Sequence, residues 1–271
     1  MNTLQNLHQH STFCDGKDTP EEIVLEAIQK GFGGIGFSSH SYVPYAVRYC
    51  MPQDKESEYK QTVLALKEKY ADKIDVFLGL EYDLARPDKP EGYDYLIGSI
   101  HGLRLDGVDY EFDGPVAHYE AMIRDHFGGD GLAYAIEYFR QVAWLPDFAP
   151  VDIMGHFDMC TKYVESHHFF DTDCKAYRNA ALEAVEALAG RVQLFELNTG
   201  AVCRGTRTSP YPQDFLVKEL KRRGFGVVIS SDCHQKEKMD FWFKEGAEYL
   251  RSCGYTERHI LTKEGFVPVL L

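Results

Sequence analysis

The sequence lacks several features that accompany nucleic-acid binding, membrane insertion or secretion. Lys and Arg number 29 against 42 Asp and Glu, so the formal charge is −13, and such a chain lacks the clustered cations that nucleic acid or anionic lipid requires. No apolar run approaches the roughly eighteen residues of a membrane-spanning helix. The first eight residues contain neither a cationic nor an apolar leader segment. We therefore expect neither nucleic acid nor a membrane as a partner.

Cysteine is present, but in no pattern that indicates disulfides. The seven cysteines are odd in number and include no Cys-x-x-Cys pair, which in a chain of this length without a secretory leader favours free thiols and a cytoplasmic location. Linkers, low-complexity tracts and internal repeats are also missing. A single domain is therefore predicted over residues 1–271.

Short apolar runs alternate with segments of helical period along the chain. Thr19-Pro20-Glu21-Glu22 reads as a capping box with proline at the first helical position. The alternation implies parallel strands in one α/β fold. Strands are predicted at 4–7, 35–37, 74–80, 95–100, 151–155, 192–197 and 226–230, and helices near 20–31, 54–71, 115–145, 177–189, 215–223 and 240–253.

Reactive side chains follow every one of these strands. Barrel enzymes build their sites at the carboxyl ends of their strands, so this placement favours a barrel of seven or eight strands over an open sheet. Residues two apart on a strand end point the same way, which lets the two imidazoles of His8-x-His10 reach one ion. The candidate metal ligands are His8, His10, Asp15, His40, Glu81, His101, His156, Asp232 and His234.

Nine ligands are too many for one ion, so two or three ions are expected, with Glu81 bridging. A mixture of imidazole and carboxylate suits zinc, iron or manganese. Three divalent ions and three carboxylates would leave a cationic site inside an acidic protein, and such a site attracts phosphate.

Other conspicuous residues have plainer interpretations. His167 and His168 are predicted to lie in a solvated loop, and the Lys/Glu pattern of 54–73 on a solvated helix face. Tyr42, Tyr45 and Tyr49 either line a pocket or pack in the core. Residues 105–145 form an aromatic-rich insertion of undetermined role.

The strand-end residues resemble the motifs of the polymerase-and-histidinol-phosphatase (PHP) family of metal-dependent phosphoesterases. The resemblance implies a distorted (β/α)7 barrel, TIM-like, with the metal site at the carboxyl ends of the strands. The motifs are, in order, His8-x-His10, Ser39-His40, Glu81, Gly98-Ser-Ile-His101, Gly155-His156-x-Asp158 and Ser231-Asp232-x-His234.

Within that family the chain is most similar to the stand-alone phosphatases that act on L-histidinol phosphate in histidine biosynthesis. The segments that carry this likeness are Cys14-Asp15-Gly16-Lys17, Phe37-Ser38-Ser39-His40, and Glu196-Leu197-Asn198-Thr199-Gly200 with Tyr211-Pro212. The resemblance implies hydrolysis of a phosphomonoester at three ions. Their ligand sets would be His8, His10, Glu81 and Asp232; Glu81, His101 and His156; and Asp15, His40 and His234.

The phosphate-binding residues depart from the family pattern at one position. These phosphatases carry an Arg after the fifth-strand Gly-His-x-Asp, and Thr161 occupies that position here. Lys162 is expected to stand in, together with Arg204, which matches a second phosphate-binding position, and with Arg207 or Lys17. Asp232 or His234 is expected to relay a proton to the leaving alkoxide.

Three other functions stay open. An amidohydrolase also begins with His-x-His and ends with Asp, but usually binds its ions through two later histidines and often a lysine. A 3′–5′ exonuclease or cyclic-nucleotide phosphodiesterase occurs among relatives, although the charge of −13 opposes long nucleic acids. A non-enzymatic metal-binding protein would be expected to have lost some of the nine ligands.

Overall fold

The structure is a computed structural model that describes residues 2–271. Within that range the strands are β1 (Gln5–Asn6), β2 (Gly34–Phe37), β3 (Asp75–Asp83), β4 (Tyr95–Ser99), β5 (Gly102–Leu105), β6 (Val108–Glu111), β7 (Ile153–Met154), β8 (Leu194–Asn198), β9 (Gly226–Ser230), β10 (Glu257–Thr262) and β11 (Gly265–Leu270). The helices are α1 (Pro20–Gln29), α2 (Glu56–Lys69), α3 (Val116–Phe127), α4 (Gly131–Val142), α5 (Leu145–Phe148), α6 (Val164–His167), α7 (Lys175–Leu188), α8 (Gly200–Cys203), α9 (Asp214–Arg223) and α10 (Phe243–Ser252).

Seven parallel strands form a nearly closed barrel. They are hydrogen-bonded in the order β1-β2-β3-β4-β7-β8-β9, which follows the chain and leaves the two hairpins outside. The first and last strands approach each other where Gln9 pairs in parallel with Cys233, and the backbone N–H of His10 donates to the Cys233 carbonyl at 3.0 Å. The predicted α/β barrel with seven parallel strands is confirmed.

Local sequence signals account for the helix boundaries. Thr19 accepts from the backbone N–H of Glu22, whose side chain in turn accepts from the Thr19 backbone N–H at 2.9 Å, so the predicted capping box is formed. Helix α9 ends at Gly224, whose φ of 82° is a left-handed conformation that glycine adopts without strain. Among residues 2–271, none of the helices combines the length and apolar character that crossing a bilayer requires.

The interior of the barrel is filled by side chains just below the predicted site. Leu7, Phe77, Tyr95, Ile97, Ile153, Leu194, Val228 and Leu261 form this inner cluster. The Tyr95 hydroxyl donates to the Phe37 carbonyl at 3.2 Å, and the ring lies so close to β3 that a Cβ on Gly79 would be 2.2 Å from Cζ of Tyr95. The barrel is therefore a packed core with a floor, and the reactive side chains rest on that floor.

Two hairpins were not predicted: β5 pairs with β6 and β10 with β11, both antiparallel. Residues 115–145 are mostly helical, as expected, and contain α3 and α4, with α5 beginning at Leu145. Rings from the insertion pack edge to face around Phe112, with ring centroids 5.4 Å away for Tyr119, 5.7 Å for Tyr134 and 5.8 Å for Tyr138. The insertion is thus anchored by its own aromatic core, and its residues 113–115 reach the cavity described below.

Candidate metal centre

The nine predicted ligands lie together at the carboxyl ends of the barrel strands. Asp15 is exposed and His234 is partly buried, whereas the other seven are buried. Their ligand atoms form four overlapping groups of three or four, each compact enough to hold an ion. The barrel has therefore brought together residues that are more than 220 positions apart in the chain, such as His10 and Asp232.

Glu81, at the end of β3, presents its two carboxylate oxygens to two different sets of imidazoles. Oε2 is 3.4 Å from Nε2 of His8 and 3.7 Å from Nε2 of His10. Oε1 is 3.4 Å from Nε2 of His101 and 2.9 Å from Nε2 of His156. With one oxygen toward each set, Glu81 could contribute a ligand atom to each of two metal groups.

Asp232 completes the group on the Oε2 side. Its Oδ1 is 3.1 Å from Nε2 of His10 and 3.7 Å from Nε2 of His8. Glu81 and Asp232 thus face the same two imidazole nitrogens, which gives a four-ligand set on one side of the cavity. This arrangement matches the first ligand set that the resemblance implied.

The outer group, around Asp15, differs in part from the implied set. Asp15 Oδ2 is 3.2 Å from Nε2 of His234, and Oδ1 is 3.7 Å from Nε2 of His40. His10 also belongs to this group, because its Nδ1 is 3.8 Å from Asp15 Oδ1. His40 extends in the other direction, with Nδ1 2.7 Å from Oε2 of Glu81, so the outer and inner groups share residues.

Among the buried atoms of the inner groups, His8 Nε2 and Glu81 Oε2 form no hydrogen bond of acceptable geometry within the described chain, although Nδ1 of His40 lies 2.7 Å from that oxygen. A buried polar atom without a partner carries a desolvation penalty of about 1–3 kcal/mol. Both atoms face the same space, and imidazole nitrogen with carboxylate oxygen is the donor set of zinc, iron and manganese sites. The residues therefore fit divalent metal ions.

Two further carboxylates orient the histidines from behind. Glu196 Oε1 is 2.5 Å from Nδ1 of His8, and Asp83 Oδ2 is 3.1 Å from Nδ1 of His101. A carboxylate acceptor at Nδ1 fixes the proton there and leaves Nε2 free to ligate. Glu196 was predicted to lie at a strand end, but without a role. Asp83 was not predicted as a site residue, although it is two residues after Glu81 and therefore lies on the same face of the strand.

In the metal-free protein the charges of the site shift each other's titration. Burial alone would lower the pKa of His8, but Glu196 and Glu81 reverse this and hold its pKa well above the usual value. Burial and the neighbouring His234 and His40 lower the pKa of His10 to about 3. His10 is therefore neutral and able to ligate at any physiological pH, whereas a metal ion must displace a proton from His8.

Six of the nine candidate ligands line a cavity of about 470 Å³, namely Asp15, His40, His101, His156, Asp232 and His234. Besides the metal-ligand residues, its wall contains side chains of both charges and two tyrosines: Arg48, Tyr49, Asp113, Lys162, Arg204 and Tyr211. Of the three tyrosines with an undecided role, Tyr49 lines this cavity, and Tyr45 instead donates to the Asp83 carboxylate at 3.1 Å. Tyr42 lies on the wall of a separate surface pocket.

The four candidate phosphate-binding cations divide into two pairs. Arg204 and Lys162 line the cavity; Arg204 donates to Asp232 Oδ2 at 3.0 Å, and Lys162 to Asp113 Oδ1 at 2.6 Å. Lys17 and Arg207 are not part of its wall. Lys17 is exposed in a bend two residues after Asp15, and its backbone N–H donates to the His234 carbonyl at 2.9 Å, whereas Arg207 is buried. A phosphate-binding role for either residue stays a prediction.

A family model described as the PHP domain matches residues 6–200, the part of the chain that supplies seven of the nine ligands. The chain belongs to the PHP family. A curated relative from Deinococcus radiodurans, named "probable histidinol-phosphatase", is 32% identical over 94% of this chain and 95% of its own length. A Bacillus subtilis relative named histidinol-phosphatase is 24% identical over 91% of this chain and 98% of its own length.

Solved structures share the fold of this PHP family member. One from Listeria monocytogenes has a TM-score of 0.77 at 19% identity and covers 89% of this chain and 99% of its own. Another is the histidinol phosphate phosphatase of Lactococcus lactis in complex with Zn, L-histidinol and phosphate. Its TM-score is 0.69 at 19% identity, over 98% of this chain and 100% of its own. The likeness in fold thus covers 89% and 98% of this chain in the two comparisons.

Proposed function

We propose that the protein is a metal-dependent phosphomonoesterase that hydrolyses L-histidinol phosphate to L-histidinol and phosphate. The observation that carries the proposal is the position of Glu81. Its two carboxylate oxygens face two different sets of imidazoles, and the cation Arg204 lies nearby on the cavity wall. The names of the curated relatives and the ligands of the Lactococcus lactis structure support the choice of substrate. In this role the protein serves histidine biosynthesis.

Two divalent ions, of zinc, manganese or iron, are proposed for the inner groups, and a third for the outer group. Glu81, His8, His10 and Asp232 would hold the first, and Glu81 with His101 and His156 the second. When bound, the ions supply Lewis acidity that neutralises phosphoryl oxygens and lowers the pKa of a water molecule. The outer group of Asp15, His40 and His234 is more exposed and is therefore expected to bind most weakly.

The chain itself contributes cations and proton carriers to the reaction. Arg204 lies against Asp232 at the edge of the metal groups, so its guanidinium is placed to clamp a non-bridging phosphoryl oxygen. Burial would raise the pKa of Asp232, but Arg204 and His8 hold it well below the usual value. Asp232 is thus ionised at neutral pH, which is the form in which it would hold a metal ion and pair with Arg204. His234, on the cavity wall, is the proposed donor to the leaving alkoxide when the outer group holds no ion.

The part of the cavity wall that contains Asp113 offers a site for the amino-alcohol part of the substrate. Asp113 follows the β5–β6 hairpin and is the cavity carboxylate outside the metal groups. Burial would raise its pKa, but Lys162 and His101 hold that pKa below its usual value, so Asp113 is charged. We propose that Asp113 accepts a hydrogen bond from the substrate ammonium, with the Tyr49 ring alongside.

A phosphatase panel tests the function directly. Purified full-length protein loaded with Mn or Zn should release phosphate from L-histidinol phosphate with a higher kcat/KM than from other small phosphomonoesters. Preference for a different monoester would overturn the substrate and retain the reaction class. Absence of phosphate release from the whole panel, with activity in a dihydroorotase or deaminase assay, would favour the amidohydrolase alternative.

We also propose a location, a partner class and a domain organisation for the protein. We propose a cytoplasmic enzyme with a small phosphorylated substrate and with no nucleic-acid partner, organised as one domain over residues 1–271. A salt titration of DNA binding checks the second point, since a nucleic-acid enzyme would bind DNA with a steep salt dependence. Elemental analysis that found fewer than two metal equivalents in active protein would overturn the two-ion proposal.

A further inference from the structure

The hydroxyl of Tyr211 is a buried polar group that the proposed mechanism does not use. The residue is 1% exposed and lines the cavity, and its Oη has no hydrogen-bond partner within the described chain. A buried hydroxyl without a partner is destabilising by about 1–3 kcal/mol. Because this hydroxyl lies on the wall of a cavity, a molecule bound in the cavity would supply its missing hydrogen-bond partner.

The surrounding structure holds the Tyr211 side chain in a fixed position. Its backbone pairs with Asn198 through two hydrogen bonds, of 2.8 and 3.0 Å, so the residue is tied to the end of β8. The Arg207 guanidinium lies over its ring, 4.8 Å from the centroid. The His156 ring is 6.3 Å away. Tyr211 is therefore fixed beside a ligand of the inner metal group.

The charges around Tyr211 favour an anion as its partner. Arg204 and Arg207 are its neighbouring cations, and Asp158 and Asp113 its neighbouring carboxylates. Asp158 lies 4.0 Å from Arg207, and Lys162 donates to Asp113 at 2.6 Å. Each of these carboxylates is therefore paired with a cation, and Arg204 and His156 line the cavity together with Tyr211. Burial raises the pKa of Tyr211, so the phenol keeps its proton and is a hydrogen-bond donor at neutral pH.

We propose that Tyr211 Oη donates a hydrogen bond to a non-bridging phosphoryl oxygen of the substrate. The inference rests on the proposed phosphatase function and adds a phosphate-binding residue to it. It also explains how the site manages with Thr161 where the family has a phosphate-binding Arg. Tyr211 supplies a donor to the phosphoryl group, and Arg207, which contacts Thr161, supports the Tyr211 ring from behind.

Tyr134 offers a matched control. Its hydroxyl is also buried and without a partner within the described chain, but it lies in the aromatic cluster of the insertion and is not part of the cavity wall. If an unpartnered phenol is merely tolerated in this protein, removal of either hydroxyl should have the same consequences. If Tyr211 binds phosphate, only Tyr211→Phe should affect phosphate.

The test compares wild type, Tyr211→Phe and Tyr134→Phe as full-length, metal-loaded proteins. Calorimetry measures binding of inorganic phosphate and, separately, of L-histidinol; thermal unfolding reports folding. For Tyr211→Phe we expect phosphate affinity and kcat/KM to fall by about 10–100-fold, as for loss of a hydrogen bond to a charged group. L-histidinol affinity should stay unchanged, and Tm should be equal or higher because an unpartnered hydroxyl is removed. Tyr134→Phe should leave phosphate affinity at the wild-type value.

The outcomes separate this inference from the function on which it rests. Wild-type phosphate affinity in Tyr211→Phe, with active wild-type enzyme, would overturn the role of Tyr211 alone. An equal loss of L-histidinol affinity would also overturn it, since that result indicates general damage to the cavity. A wild type that neither binds phosphate nor hydrolyses any phosphomonoester would overturn the proposed function and this inference with it.

Discussion

Arg207 donates a hydrogen bond to Oγ1 of Thr161 across 46 positions of the chain. The guanidinium is buried, also donates to Ser209 Oγ at 3.2 Å, and lies 4.0 Å from Oδ2 of Asp158. Thr161 is the position at which related phosphatases carry an Arg. A cation is therefore near this position in space, but it comes from another loop and faces the protein interior instead of the cavity.

We predict different defects for the two arginines of that loop. Arg207→Ala leaves Asp158 buried with less compensation, so it should cost on the order of 3 kcal/mol of unfolding free energy. Phosphate affinity of the folded protein should fall only several-fold, through the Tyr211 ring. Arg204→Ala removes a cavity cation and should reduce kcat/KM by more than 100-fold with a smaller loss of stability. Denaturant unfolding and steady-state kinetics measure the two effects; the reverse pattern would contradict the assignment.

Glu196 is predicted to act on metal affinity through His8. Glu196→Gln keeps the shape of the side chain but replaces the acceptor that holds the proton on Nδ1 of His8. We expect metal affinity to fall by about 10–100-fold, with activity recovered when the metal concentration is raised. Asp152→Asn is the control. The Asp152 carboxylate accepts a hydrogen bond from the backbone N–H of Leu96 at 2.8 Å, but it lies outside the metal groups. Equal metal affinity in both variants would contradict the positioning role.

The grouping of the candidate ligands could be predicted from the sequence because they lie near or beyond the carboxyl ends of the barrel strands. In a parallel barrel the carboxyl ends of all strands share one rim, so position along the chain determines position in space for residues such as Glu81 and His156. The spacing of apolar residues along the chain predicted the strands and the main helices. The sequence therefore predicted that the nine candidate ligands lie together, and the structure places them so.

Other features depend on contacts that no local pattern encodes. The β5–β6 hairpin carries Asp113 to the cavity, but its four-residue strands have no distinct alternation. Arg207 is three residues from Arg204 in sequence, yet one faces the protein interior and the other the cavity, because the turn between them reverses their directions. The roles of Glu196 and Asp83 rest on which imidazole nitrogen each one faces, and only the three-dimensional structure shows this.

The metal-free protein should be most stable at mildly acidic pH. Burial would lower the pKa of His101, but Glu81 and Asp83 hold it well above 6.5, so its contribution is complete below about pH 6.5 and is lost as the pH rises through the raised pKa. Burial would raise the pKa of Glu81, but His40 and His8 hold it well below 4.5. The contribution of Glu81 is therefore present above about pH 4.5 and is lost as the pH falls through the lowered pKa.

Metal binding should move that optimum to higher pH, because the ions replace protons on the histidines. Chelator-treated protein should lose activity and several degrees of Tm at pH 8, and added Mn or Zn should restore both. Chemical denaturation from pH 4 to pH 9, with and without metal, measures the shift. Identical pH profiles for the stripped and loaded proteins would mean that these histidines are not the metal ligands.

Asp113 is predicted to determine substrate choice and not the chemical step. Asp113→Asn removes the charge offered to the substrate ammonium and keeps a partner for Lys162, which donates to Asp113 Oδ1 at 2.6 Å. We expect KM for L-histidinol phosphate to rise about tenfold with kcat little changed, and kcat/KM for p-nitrophenyl phosphate, which has no ammonium, to stay within about twofold. Asp109→Asn is the control, because Asp109 pairs with Arg104 on the same hairpin and neither residue is part of the cavity wall. A parallel loss on both substrates in Asp113→Asn would instead place Asp113 in the phosphoryl-transfer machinery.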